Sequence, residues 1–231
     1  MITKFLKRIL RRDPMVRHTN AINKGAPKRI PKKSHRIDPH LLSKNAVKVT
    51  QTLQQAGFEA FIVGGAVRDL VLGIEPKDFD VATNATPDQV QRLFRKARLI
   101  GRRFQIVHVT FFGKGHPEII EVSTFRALLD NAGDHVAESG RILRDNVWGS
   151  QGEDAARRDF TINAMYYDPS TETVLDYHGG MADMQRKTLR MIGDPAKRYR
   201  EDPVRMLRAI RFAAKTGFTL DSNTRLPIAK L

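Results

Sequence analysis

Across residues 41–55 the apolar positions Leu42, Ala46, Val49 and Leu53 recur at helical spacing, and Gly57 supplies a stop, so the pattern predicts a helix. The period then shortens. Residues 58–63 are rich in β-formers and run into Gly64-Gly65, after which residues 66–72 regain a helical pattern that Gly73 ends. Further strands are predicted at 79–82, 106–112 and 119–124, with a turn over 113–117 joining the last two. Between the first and second of these a helix fits, since Thr86 can cap it, Pro87 suits its first position, and Val90, Leu93 and Phe94 share a face. A polar stretch over 130–140 follows, then a short hairpin signal at 165–167 and 174–176. From Asp202 onward the pattern is helical, with Val204, Leu207, Ile210 and Ala214 on one side. Interleaved strands and helices of this kind predict an α+β fold, and no internal repeat interrupts the series.

Composition adds bounds to that picture. An apolar share of 41% over 231 residues is enough for a sizeable packed core. The chain has no cysteine, which excludes a disulfide framework, a thiolate metal site and a cysteine nucleophile, and suits a reducing, cytoplasmic setting. No apolar run is long enough for a membrane-spanning helix. A monomer is expected.

Charge changes the picture at one end. The net charge is +15, and residues 1–50 carry fourteen Lys or Arg against only Asp13 and Asp38, a balance of +12 that leaves +3 for the rest. Such an arm can hold a polyanion by releasing its counterions, or simply be a solvated leader. Within it Ile2, Phe5, Leu6, Ile9 and Leu10 fall at helical spacing among Lys4, Lys7, Arg8, Arg11 and Arg12, a short basic amphipathic helix that also suits weak contact with a membrane surface. The acid-poor character is that of a transit peptide, although no Ser precedes Ser34. Residues 20–39, with Pro27, Pro31 and Pro39 among many cations, read as a linker. The organisation expected from the residues is therefore a basic disordered leader over 1–39, with folded structure beginning near His40.

Candidate chemistry gathers in four places. Gly64-Gly65, followed by Arg68 and Asp69, lies between a strand and a helix, where glycine lets backbone approach phosphate closely; the ordinary alternative is a tight turn. Asp78-Phe79-Asp80 places two carboxylates on one side of a strand, within reach of a shared Mg²⁺, or else marks polar turn residues. In the second place, Glu121 interrupts an apolar strand and so belongs with a metal or a partner, unless that strand is an edge facing water; Arg126 just beyond it suits a phosphate or a surface acid.

The third place packs Asp154, Arg157, Arg158, Asp159 and Asn163 into a short stretch. Guanidinium groups fork onto phosphate, while Asp and Asn hold ribose hydroxyls or orient the arginines; a salt-bridged helix surface is the competing account. In the fourth, Glu201, Arg205 and Arg208 share one helix face behind Asp202 and Pro203. As structure this is a helix start, and as chemistry the face can read a base edge.

The ordered runs GGAVRD, KDFDVAT, EVSTFR, EDAARRDFTINAM, LDYHGGMAD and EDPVRMLRAIRFA resemble the bacterial-type (class II) tRNA nucleotidyltransferase and poly(A) polymerase family, within the DNA polymerase β-like superfamily. The resemblance spans residues 45–218. It implies an α+β, five-stranded polymerase-β-like nucleotidyltransferase head over 40–176 with a small mixed sheet and flanking helices, followed by an all-helical neck over 177–231. It implies that Asp78 and Asp80 bind two Mg²⁺ ions with Glu121 beside them. It also implies that Arg157, Arg158 and Asp159 serve the nucleotide and the active site, and that residues 201–208 select the base. Gly64, Gly65, Arg68, Asp69, Arg103, Arg126, Asp154 and Asn163 complete the expected ATP-binding set.

Within that family, residues 100–105 and 143–149 and the pair Tyr166-Tyr167 resemble the poly(A) polymerases. AMP transfer from ATP to the 3′ ends of mRNA or other transcripts is then the expected reaction. CCA addition to tRNA is the alternative. Family members continue beyond the neck as body and tail domains, so a chain stopping at Leu231 is expected to be truncated. A non-catalytic nucleotide- or RNA-binding fragment is a further alternative.

Overall fold

Ile30 is the buried residue of a four-residue strand, β1, Lys28–Pro31, in a segment expected to be a linker. The computed structural model describes residues 22, 25–101, 105–113, 116–127 and 147–230, so the amphipathic helix expected at 2–10 and the polar stretch at 130–140 lie outside the described residues. The linker expectation fails from Lys28 onward because Ile30 and Ile37 are both buried, and because Lys, Arg and Pro around them are what an edge strand tolerates. His35 pins the next turn. Its Nδ1 accepts from the Ile37 N–H, so its Nε2 donates to the Glu172 carbonyl at 2.9 Å.

Helix α1, Lys44–Gln55, starts at Ser43, whose hydroxyl accepts from the N–H groups of Asn45 and Ala46. It buries Ala46, Val49, Thr50 and Leu53, while Leu42 falls outside because Pro39–Leu41 forms a separate 3-10 turn. Strand β2, Ala60–Val63, leads into α2, Gly65–Val71. After β3, Phe79–Thr83, the helix α3, Pro87–Leu93, begins with the reciprocal capping of Thr86 and Gln89. Strands β4, Ala97–Ile100, β5, Ile106–Phe111, and β6, Glu118–Thr124, follow; β4 carries too little alternation to be foreseen.

The remaining chain supplies α4, Gln151–Arg157, then the hairpin β7, Met165–Asp168, and β8, Thr173–Asp176. Asp176 accepts from the N–H groups of His178, Gly179, Gly180 and Met181, which fixes the start of α5, Gly180–Gln185. Strand β9, Thr188–Leu189, helix α6, Pro195–Glu201, helix α7, Val204–Thr216, and strand β10, Thr219–Leu220, end the series of labelled elements, with β9 and β10 paired in parallel inside a region expected to be wholly helical. The apolar side of α7 expected from spacing is its outer side: Val204, Leu207 and Ile210 are exposed, and Ala209, Phe212 and Ala213 are buried.

Eight strands form one sheet in the order β1-β8-β7-β2-β3-β6-β5-β4, where five were expected; β1 and β8 extend one side and β4 the other. Every neighbouring pair is antiparallel except β3 with β6. One face is covered by α1 over β2, β3 and β6, and by α3 over β4 to β6. The other carries an aromatic cluster of Phe61, Phe125, Tyr166 and Tyr177, with Tyr166 edge-on to each of the other three. Beside that cluster the face lies open.

Candidate active site

Register assembles the acids. Asp80 on β3 is the partner of Glu121 on β6, and Glu121 is matched in turn to His108 on β5. Matched residues leave a sheet on the same side, so the three form a row on the open face, with His108 Nε2 3.4 Å from Glu121 Oε1. The β6 strand lies inside the sheet between β3 and β5, which removes the edge-strand explanation of Glu121; its side chain is 49% exposed because that face is uncovered. Burial, then the nearby charge of Glu121, pushes the Asp80 carboxyl up to about 6, with Asp78 adding to the rise and Arg158 opposing it.

Gly64 brings backbone to this row. Its φ of 75° and ψ of −131° suit glycine, and a Cβ there would lie 3.5 Å from Arg158 Nη1 and 3.8 Å from Asp80 Oδ2. The turn is therefore more than a change of direction. It forms part of the wall of a cavity of about 640 Å³ between the sheet and α7, which Asp78, Asp80, Arg158 and Asp202 also line.

A chain of polar contacts runs round this cavity. Lys215 Nζ meets Asp69 Oδ2 at 2.9 Å, and Arg68 donates from Nε to Asp69 Oδ1 at 2.8 Å and from Nη1 to Asn163 Oδ1 at 2.7 Å. Asn163 Nδ2 then donates to Asp159 Oδ1 at 3.2 Å, and Arg208 Nε to Asp159 Oδ2 at 2.7 Å. The guanidinium carbons of Arg68 and Arg208 lie 5.2 Å and 5.0 Å from the centre of the Phe212 ring. Helix α7 is thus tied by charges to α2, through Asp69, and to the segment after α4, through Asp159. Asp159, whose Oδ1 also accepts from the Phe160 N–H, orients Arg208.

A second cavity, of about 290 Å³, lies on the other side of Asp80 and is lined by Glu121, Ser123, Arg126, Asp154, Arg157 and Arg158 as well. Asp80 and Arg158 are common to both cavities. Arg158 is held by Asp154 Oδ2, 2.9 Å from its Nη2, and by the Tyr166 hydroxyl, 3.2 Å from its Nε. Burial works against its charge, but Tyr166 and Asp154 push its pKa up. Arg157 is in the opposite situation: burial, then Arg126, Arg158, Arg198 and Arg205 around it, push it down to about 8.

Most of the expected site residues meet at these two cavities. Gly64, Gly65, Arg68, Asp69, Asp78, Asp80, Arg158, Asp159, Asn163, Asp202, Arg205 and Arg208 line the first, and Glu121, Arg126, Asp154 and Arg157 line the second. Glu201 lines neither. Expected on one helix with Arg205 and Arg208, it is the last residue of α6, because Pro203 forces Asp202 into extended backbone and breaks the helix. Its carboxylate accepts from Arg198 at 2.9 Å and Arg205 at 3.2 Å. Arg103 lies outside the described residues.

Lys77, Arg211, Phe212 and Lys215 also line the first cavity and were not foreseen. Extending the Arg205 and Arg208 spacing by further turns of the same helix reaches Phe212 and Lys215. Among the described residues no group of three or more His, Asp or Glu converges as a metal cage; Asp78 and Asp80 both line the first cavity.

Comparison with known proteins identifies the family. Residues 60–190 match the family model described as the poly(A) polymerase head domain. Poly(A) polymerase I of Salmonella typhi is 54% identical over 207 residues, which cover 87% of this chain and 44% of the relative. The CCA-adding enzyme of Bacillus pumilus is 41% identical over 181 residues, covering 78% and 42%. Among solved structures, Bacillus stearothermophilus CCA-adding enzyme in complex with CTP superposes with a TM-score of 0.67 at 36% identity, covering 84% of this chain and 44% of that one. The chain spans less than half the length of these curated relatives.

Proposed function

The chain belongs to the poly(A) polymerase head-domain family, and from that premise we propose that it adds AMP from ATP to RNA 3′ ends by template-independent phosphoryl transfer. The observation that carries the reading is the first cavity: two carboxylates at one end, a glycine turn beside them, and cationic side chains of α7 across from both. We take residues 40–176 as the head and 177–231 as the start of the neck.

Asp78 and Asp80 would hold Mg²⁺. The raised Asp80 pKa fits this, since negative charges crowded with partial burial are relieved by a cation. Two protein carboxylates with the rest of the shell left to water and phosphate oxygens is also how Mg²⁺ is commonly bound. Two such ions, when bound, activate the RNA 3′-hydroxyl and neutralise charge on the α-phosphate and leaving pyrophosphate. The 3′-oxygen bonds to the α-phosphorus as the bond to pyrophosphate breaks, and no covalent enzyme intermediate is needed.

The chain's own residues bind and orient. Gly64 lets the triphosphate approach the backbone, and Arg158, whose Nη1 has no hydrogen-bond partner among the described residues, offers that group to it. Arg205 and Arg208 face the base from α7, and Asp202 faces it from the turn just before that helix. Glu201 orients Arg205 from behind and does not touch the nucleotide.

The test offers the chain with Mg²⁺ a generic oligo(A) primer and a tRNA lacking its CCA end, with ATP alone or CTP alone. Long A tails on the generic primer are expected. CTP incorporation confined to the tRNA means CCA addition, the reading favoured by the Bacillus relatives. ATP binding without extension of either RNA means a nucleotide-binding fragment.

A further inference from the structure

Arg198, in the middle of α6, is buried and lines neither cavity, yet it holds residues that do. Its Nη2 donates to the carbonyl of Arg158 at 2.7 Å and to that of Arg157. These carbonyls end α4, where unfilled acceptors and the helix dipole favour a cation. The Arg158 carbonyl belongs to the peptide that joins Arg158 to Asp159. One bond therefore fixes both the arginine common to the two cavities and the acid that orients Arg208.

The other arm of the same guanidinium faces α7. Its Nη1 donates to Glu201 Oε2 at 2.9 Å, and that oxygen also accepts from Arg205 Nη1 at 3.2 Å. Arg205 Nη1 donates in addition to the main-chain carbonyl of Arg198 at 2.9 Å. Both acceptors of Arg205 are thus part of Arg198 or held by it. Burial, then Arg205, pushes the Arg198 pKa down to about 10, with Glu201 opposing, so the clamp keeps its charge at neutral pH. We propose that Arg198 is a specificity-determining positioning residue: by clamping the end of α4 to Arg205, it holds the base-facing and phosphate-facing arginines in one arrangement and sets the preference for ATP over CTP without touching either. This rests on the reading that the nucleotide occupies the first cavity with its base toward Arg205. Arg158 meets a triphosphate that ATP and CTP share, whereas Arg205 meets the base in which they differ. Losing the clamp therefore weakens both nucleotides, and ATP more.

Two variants of the whole chain test this. Arg198→Met keeps an unbranched stem and removes every bond of the guanidinium, while Arg198→Lys keeps a cation beside the α4 carbonyls and loses the fork to Glu201. ATP and CTP affinities are read by equilibrium dialysis with Mg²⁺ and no RNA, and folding by thermal melt. In Arg198→Met, CTP is expected to bind roughly threefold more weakly and ATP roughly thirtyfold, so the ATP preference falls about tenfold. Arg198→Lys falls between, and it alone decides if the methionine variant does not fold. Adding Arg205→Gln to Arg198→Met should lower the preference by less than about twofold more, since both act at one point; fully additive losses overturn the assignment. So does a lower melting temperature with the parent's ATP-to-CTP ratio, the result of a purely structural clamp. The ratio needs no turnover. A chain that extends no primer sinks the polyadenylation reading and leaves the clamp decided, and a parent that prefers CTP favours CCA addition, with an unchanged ratio in Arg198→Met still overturning the clamp.

Discussion

The phenol of Tyr166 donates a 2.6 Å hydrogen bond to the carboxylate of Asp154, and the two together grip the Arg158 guanidinium. Tyr166 is wholly buried among aromatic rings, so this grip is built into the core, while the other end of Arg158 reaches the open site. Tyr166 is a positioning residue for Arg158. In Tyr166→Phe the buried Asp154 loses a donor, at a cost of about 1–2 kcal/mol in a denaturant melt. Catalytic efficiency with ATP falls roughly tenfold, which is about 1.4 kcal/mol of transition-state binding. Combined with Arg158→Lys the losses are less than additive; additive losses in that cycle would falsify the positioning role.

Asp80→Asn separates stability from chemistry. The native carboxyl titrates at about 6, above its ordinary 3.8, so its protonated form favours the fold and that contribution is lost as pH rises through 6. At pH 7.5 without divalent cations the ionised group costs on the order of 2–3 kcal/mol before solvent screening is allowed for. The variant is expected to melt higher than the parent at pH 7.5, to match it near pH 4, and to incorporate no ATP. A lower melting temperature at pH 7.5 contradicts the charge-crowding account.

His178 works in the opposite direction. Buried in the turn before α5, it is pushed down to about 4 from 6.5, mainly by burial, with Asp176 opposing. The unfolded chain takes up the proton first, so stability falls as pH drops from 6.5 toward 4, by on the order of 3 kcal/mol. In the parent the Asp80 gain offsets part of that loss. Acid denaturation curves should therefore be steeper for Asp80→Asn than for the parent between pH 6.5 and 4, and flatter for His178→Phe. Parallel curves for all three proteins exclude both titrations.

Gly64→Ala and Gly73→Ala form a pair in which backbone strain is shared and site contact is not. Both glycines have positive φ, 75° and 70°, but a Cβ at Gly73 meets nothing within 4 Å, whereas one at Gly64 enters the space between Arg158 and Asp80. Each substitution is expected to cost about 1 kcal/mol or more in stability. Only Gly64→Ala should raise the KM for ATP, by steric crowding at the phosphate approach. Equal kinetic effects mean that Gly64 matters for backbone shape alone.

Much of this was legible in the chain itself, and the exceptions have physical causes. The spacing of Ala46, Val49 and Leu53 and the Thr86-Pro87 start located helices because local patterning and capping decide them. Strand β1 escaped notice because a single buried Ile30 holds it and its other residues are those of a charged linker. That Asp80 and Glu121 stand on neighbouring strands as matched residues was not readable from either segment, since which strands are neighbours is set by packing across the sheet. Tyr166 was conspicuous only as one of a tyrosine pair, and its bond to Asp154 spans a strand and a helix. The Glu201 expectation failed at Pro203, whose effect on Asp202 is readable from sequence.

The parallel pairing of β3 with β6 bears on what variation the site can absorb. Parallel neighbours cannot be joined by a tight hairpin, so the chain must leave after Thr83 and return at Glu118 by way of α3, β4 and β5. Five matched rungs, from Phe79 with Ile120 to Thr83 with Thr124, set where Asp80 stands relative to Glu121. The length of the excursion does not. Turns joining α3, β4 and β5 can therefore change in length without shifting those rungs, whereas a residue gained or lost inside β5 would displace His108 from Glu121.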